Sequence, residues 1–131
     1  MRLIEKTIKI VKGIFQKVRE PELDRTILNL FKKVDISQSS IETMFNIFYT
    51  KVYLDTETIL AIKVEIWINY LLINITDLKK NEDYVIEVSK YEHLKVYNKA
   101  QELYKNIKKY LAAEQCKRFI TKLQAVEDMR I

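Results

Sequence analysis

Glycine and proline occur once each in the 131 residues, at Gly13 and Pro21. A single glycine excludes a phosphate-binding loop and a dinucleotide fingerprint, both of which need several at fixed offsets. Sandwiches and barrels need many Gly- and Pro-rich turns, and α/β folds place glycines at strand–helix junctions. Their scarcity therefore predicts an all-α chain. Cysteine also occurs once, at Cys116, so an intramolecular disulfide and a secreted disulfide scaffold are excluded. The only histidine is His93. A zinc site of His and Cys ligands is not available, and a di-metal bundle needs Glu-x-x-His twice. Lysine stands at position 90, where the one such motif would need its glutamate. No nucleophile motif surrounds any serine, and Cys116 falls on an apolar seam, which reads as packing. No metal, no cofactor and no enzymatic activity are expected.

What is present in quantity is apolar and charged surface: 48% and 31% of the chain, in the range of a folded globular protein. The densest apolar stretch runs from Ile59 to Ile75 and holds the only tryptophan, Trp67. It is short for a membrane span, and Lys63 and Glu65 would each cost about 2.5–3.5 kcal/mol inside a bilayer. Leu60, Ile62, Val64, Ile66 and Ile68 alternate in the manner of a strand. The length of the run, and the lack of Gly or Pro beside it, favour a helix instead. The expectation is a central buried helix with Trp67 packed in the core.

Other segments line up around it. Ile4, Ile8, Val11, Phe15 and Val18 form a seam of a helix over 2–19, and Leu23, Ile27, Leu30 and Val34 one over 21–35, as two short helices or one bent at Pro21. Residues 35–40 read as a loop. Ser39 and Glu42 match a capping box for a helix buried through Ile41, Met44 or Phe45, Phe48 and Val52. Residues 76–83 read as a second loop. Tyr84–Val88 has extended character, and Ser89 with Glu92 matches another capping box. Beyond it, Val96, Ala100, Leu103, Ile107 and Leu111 make one helical seam, and Cys116, Ile120, Leu123 and Val126 a second. One straight helix over both would be about 60 Å long at 1.5 Å per residue, so a break near 112–114 is expected. The size predicts a single domain, 1–131, built as a compact four-helix-bundle-like fold with some helices kinked or broken.

Net charge is +5. It is unevenly placed, with nine basic and five acidic residues over 1–36, two and five over 37–78, and twelve and eight over 79–131. Within the last segment Lys95, Lys99, Lys105, Lys108 and Lys109 interleave with Tyr97 and Tyr104. Bases spaced among aromatics can hold a phosphate backbone and offer faces for stacking. The same pattern also describes tyrosines that border a core beside a solvated lysine face, or an interface between copies. These seven residues are the candidate contact site, for non-specific nucleic acid or for a protein partner.

The opening Met1-Arg-Leu-Ile-Glu-Lys-Thr-Ile-Lys-Ile-Val-Lys and the Ile/Lys/Tyr-rich, nearly glycine-free body resemble a family of archaeal virus proteins. These are the small helical-bundle virion proteins of the two-tailed bicaudaviruses, with a sister protein that inhibits host RNA polymerase by occupying its nucleic-acid channel. The resemblance implies a helical bundle, a thermostable structural protein of the virion that packs with its own copies, other virion proteins or nucleic acid, and a place in the particle and in the host cytoplasm during infection. Its alternative implication is inhibition of host RNA polymerase.

Overall fold

The computed structural model describes the backbone of residues 8–11, 14–17 and 22–130, with side chains over 22–130. It is built on a sheet. Strands β1 (Ile8–Val11) and β2 (Ile14–Lys17) pair as an antiparallel hairpin, and helix α1 spans Leu23–Lys32. Strands β3 (Val34–Glu42), β4 (Ile47–Tyr53), β5 (Ile59–Ile66), β6 (Tyr70–Asp77) and β7 (Glu82–Ser89) then follow as an antiparallel meander in sequence order. Helix α2 runs from Leu94 to Asp128.

The all-α helical bundle is thereby overturned, and the reason lies in the turns. Glycine is the usual residue for positive φ, but asparagine also enters the left-handed region. Asn46 (φ 51°) closes the β3–β4 turn and Asn81 (φ 57°) the β6–β7 turn. Aspartate also shapes turns, by bonding the backbone two residues on. The Asp55 carboxylate accepts the Glu57 N–H in the β4–β5 turn. The buried Asp77 carboxylate accepts the N–H groups of Lys79 and Lys80. In three of the four turns of the five-stranded sheet, Asn or Asp takes the place of glycine.

The expected central helix is a hairpin, β5 and β6, with Ile66 opposite Leu71 in the register. The alternation decides the outcome. Leu60, Ile62 and Val64 point into the core, while Ala61, Lys63 and Glu65 lie on the other face of the sheet. Trp67 sits in the turn, 45% exposed, not in the core. The segment 35–40 and the capping box Ser39–Glu42 belong to β3, where the register shifts between Asp35 and Ser40. Ser39 stabilises that bulge, its hydroxyl donating to the Asp35 carbonyl and lying 2.7 Å from the Thr50 hydroxyl. The helix expected from Ile41 onward is the β3–β4 turn and β4. Of the helix expected over 2–19, the described residues form β1 and β2, and the remainder lies outside the described residues. The second expected helix holds as α1, ending at Lys32 rather than 35. Residues 84–88 are extended, as part of β7. No break interrupts α2 near 112–114.

One face of the five-stranded sheet carries the core. Phe48, Val52, Leu60, Ile62, Val64, Leu71, Ile73, Ile75, Ile86 and Val88 meet Leu23, Ile27, Leu30 and Phe31 of α1 and Val96, Tyr97, Ala100, Leu103 and Ile107 of α2. The helices are tied to each other at their first turns, where His93 Nδ1 lies 2.5 Å from Asp24 Oδ1. Among the described residues no buried polar side-chain atom lacks a hydrogen-bond partner. No helix among them is long and apolar enough to cross a membrane.

Candidate functional site

Helix α2 is 35 residues long, about 52 Å at 1.5 Å per residue. Its last buried side chain is Ile107, and Leu111 is the last that packs against the core cluster. From 112 to 128 the helix continues for a further 25 Å or so. Over 112–130 every residue but Glu114 is exposed. This half is not a polar tail. Ala112, Cys116, Phe119, Leu123 and Val126 recur at steps of four, three, four and three, with Ile120 alongside. That spacing is the seam of a helix packed on another helix. Phe119 is 63% exposed and Ile120 64%. Cys116 is exposed as well, which corrects its reading as a packed core residue.

The two seams of α2 point in different directions. At 100° per residue, the face centred on Ala100 and Ile107 and the face centred on Leu123 lie roughly 130° apart. The first face is taken by the sheet. The second turns away from it.

The lysine–tyrosine stripe is dispersed by the same geometry. Tyr97 is buried, and its hydroxyl donates to the carbonyls of Trp67 and Ile68 in the β5–β6 turn. Tyr104 is half-buried against the core. The ring faces that remain are taken by lysines of the same chain, with Lys90 over Tyr97 at 5.2 Å and Lys108 over Tyr104 at 5.9 Å. Lys99 pairs with Glu102 at 3.4 Å. Lys95, Lys105, Lys108 and Lys109 are exposed, but they spread around the helix instead of forming one ridge with the rings. What the seven residues share is helix α2.

A second uncovered apolar region was not singled out in the sequence. The β3–β4 turn, the β5–β6 turn and the start of α2 meet at one end of the sheet. There Met44, Phe45, Trp67 and Ile68 are exposed around a concavity of about 410 Å³, with Tyr97 and Gln101 completing its wall. Tyr91 joins them, its hydroxyl donating to the Asn69 side chain, while the Lys90 N–H donates to the Asn69 carbonyl. Trp67 stacks on Tyr70 with centroids 5.9 Å apart. The signal for this region was the placing of three large apolar residues, Met44, Phe45 and Ile68, next to asparagines in turns.

The chain matches no family model, no curated protein and no solved structure. Function is therefore read from the surfaces alone. Among the described residues no three His, Cys, Asp or Glu side chains come together in a way that could hold a metal ion. The outer face of the sheet holds paired groups rather than a reactive set. The Tyr49 hydroxyl donates to Glu42, which raises its pKa above the ordinary value. Lys63 pairs with Glu65 at 3.2 Å, which raises the pKa of its ammonium. Both arrangements hold the side chain in its protonated form.

Charge is divided between the layers. Over 34–89 nine acidic side chains stand with four basic ones, whereas α2 carries eight basic and four acidic. The sheet is acidic and the long helix basic.

Proposed function

We propose that this is a non-enzymatic assembly protein that acts by self-association through the second half of α2 and by packing its apolar turn end against another component. The observation that carries the reading is the uncovered seam Ala112–Cys116–Phe119–Leu123–Val126. Helices in proteins draw most of their stability from packing an amphipathic face, so a helical stretch that is apolar on one side and uncovered calls for a partner. The turn end with Met44, Phe45, Trp67 and Ile68 has the composition of a protein contact, rich in aromatics and methionine.

A virion is the setting that the family resemblance implies, and many copies side by side suit this mode of action. The helical bundle implied with it is not the fold, so that setting rests on sequence texture alone. The polymerase-inhibition alternative rests on the same texture. Non-specific nucleic-acid contact is a weaker reading, because Lys95, Lys105, Lys108 and Lys109 would act by charge alone with the tyrosines engaged in the fold.

The test is sedimentation velocity of the whole chain across concentration, beside Leu123→Glu. Leu123 is half-exposed in the isolated chain, so the variant should fold normally. Self-association of the wild type that the variant loses is the expected outcome. A wild type that stays monomeric at every concentration would reject the reading.

A further inference from the structure

We infer that the second half of α2 pairs with the same segment of a second copy, antiparallel, in a register that sets Glu127 of each chain beside Lys109 of the other. The inference rests on the assembly reading above and names its partner and geometry.

The seam itself points to a copy. Steps of four and three repeat from Ala112 to Val126, and the same alternation is met when the helix is read in reverse. Such a seam is self-complementary under a two-fold axis, the commonest symmetry of soluble oligomers. Its knobs are graded in size, with alanine and cysteine toward the domain and phenylalanine, leucine and valine toward the tip. Reversing one copy sets large against small along the contact, as close packing requires. Pairing in parallel would set large against large and small against small.

Charge then selects orientation and register. Beside the seam, on one flank, lie Lys109 before the apolar steps and Glu127 after them. Both are exposed. Among the described residues neither has an ion-pair partner in its own chain. In an antiparallel pair the same flank of each helix meets, so Lys109 and Glu127 come together twice across the two-fold axis. In this register Cys116 of one chain lies level with Ile120 of the other, and Leu123 with Ala113. Lys122, on the opposite flank, falls near Gln115. Within Leu94–Asp128 no like charges meet along the seam, and only Arg130, past the helix end, comes close to Lys105 of the other chain. A parallel pair also offers an attractive contact made twice, Lys122 to Glu127. However, opposite flanks meet in that pair, so Lys109 is left without its Glu127. Parallel pairing also puts the two negative helix ends side by side, whereas antiparallel pairing places them apart.

The geometry of the domain agrees. The seam faces roughly 130° away from the sheet. A second helix can therefore lie along α2 from about Lys108 outward without displacing the core, and the two domains sit at opposite ends of the pair.

The test is a charge-swap series in the full chain: Lys109→Glu, Glu127→Lys, and the two together, each compared with the wild type by sedimentation equilibrium. Both positions are exposed, so each variant should fold as the wild type does. The antiparallel register predicts that either single change weakens pairing on the order of tenfold and that the double change restores it. Three results would overturn the inference. If Glu127→Lys weakens pairing and Lys109→Glu does not rescue it, the helices run parallel. If all three variants pair as the wild type does while Leu123→Glu dissociates, self-association through α2 stands and this register falls. If the wild type does not associate at all, the assembly reading falls with it.

Discussion

Two aromatic side chains separate burial from mere hydrophobicity. Phe48 is wholly buried on the core face of β4, whereas Trp67 lies in a turn with Tyr70 against its ring. Phe48→Ala should destabilise by about 3–5 kcal/mol through lost burial and the cavity left behind, while Trp67→Ala should cost about 1 kcal/mol, mostly for its stacked ring. Denaturant unfolding of the two variants checks this. A Trp67 variant as damaged as the Phe48 variant would mean that the turn is packed inside. Tyr97 makes the complementary point about polar atoms. Its hydroxyl meets turn carbonyls that the β5–β6 hairpin leaves open, so Tyr97→Phe should cost about 1–2 kcal/mol with no loss of apolar area. An unchanged midpoint would show that water serves those carbonyls equally well.

At the scale of elements, the lesson concerns turns. Asn46 and Asn81 hold positive φ where glycine is the common choice. Asn81→Gly should therefore be close to neutral, while Asn81→Val should destabilise by about 1–2 kcal/mol, the usual penalty of a left-handed residue with a β-branched side chain. Thermal unfolding of the pair reads the difference, and equal loss in both would place the cost in the asparagine side chain instead.

These turns also explain which elements were legible. Leu23, Ile27 and Leu30 announce α1 without help, and Val96, Ala100, Leu103 and Ile107 announce the packed half of α2, because helical spacing survives in a single sequence. The alternation Leu60–Ile62–Val64 was equally visible. It is masked because glycine and proline, the usual hairpin residues, are missing beside it, and because Ala61, Ile59 and Leu72 on the outer face make the stretch apolar all round. The candidate site was legible in part. Cys116, Ile120, Leu123 and Val126 stand out as a seam, but spacing alone does not say whether the seam is buried within the chain or held outside it. Only the position of α2 across the sheet, with contact ending at Leu111, reveals that.

Taken whole, the molecule is an acidic sheet layer with a basic helix laid on one face and projecting past it. Its core is complete without the projecting half, so residues 112–128 contribute surface rather than internal stability. That division makes self-association the central claim, and amide hydrogen exchange of α2 across protein concentration tests it most directly. Over 94–111 the helix is held by its own core and should be protected at every concentration. Over 112–128 an unpaired helix should exchange rapidly in dilute solution, because no tertiary packing holds it beyond Leu111. Protection there should rise with concentration and disappear in Leu123→Glu, while 94–111 is unaffected. Exchange over 112–128 that is the same at all concentrations, whether fast or slow, would contradict the claim that this half of the helix is made to meet another copy.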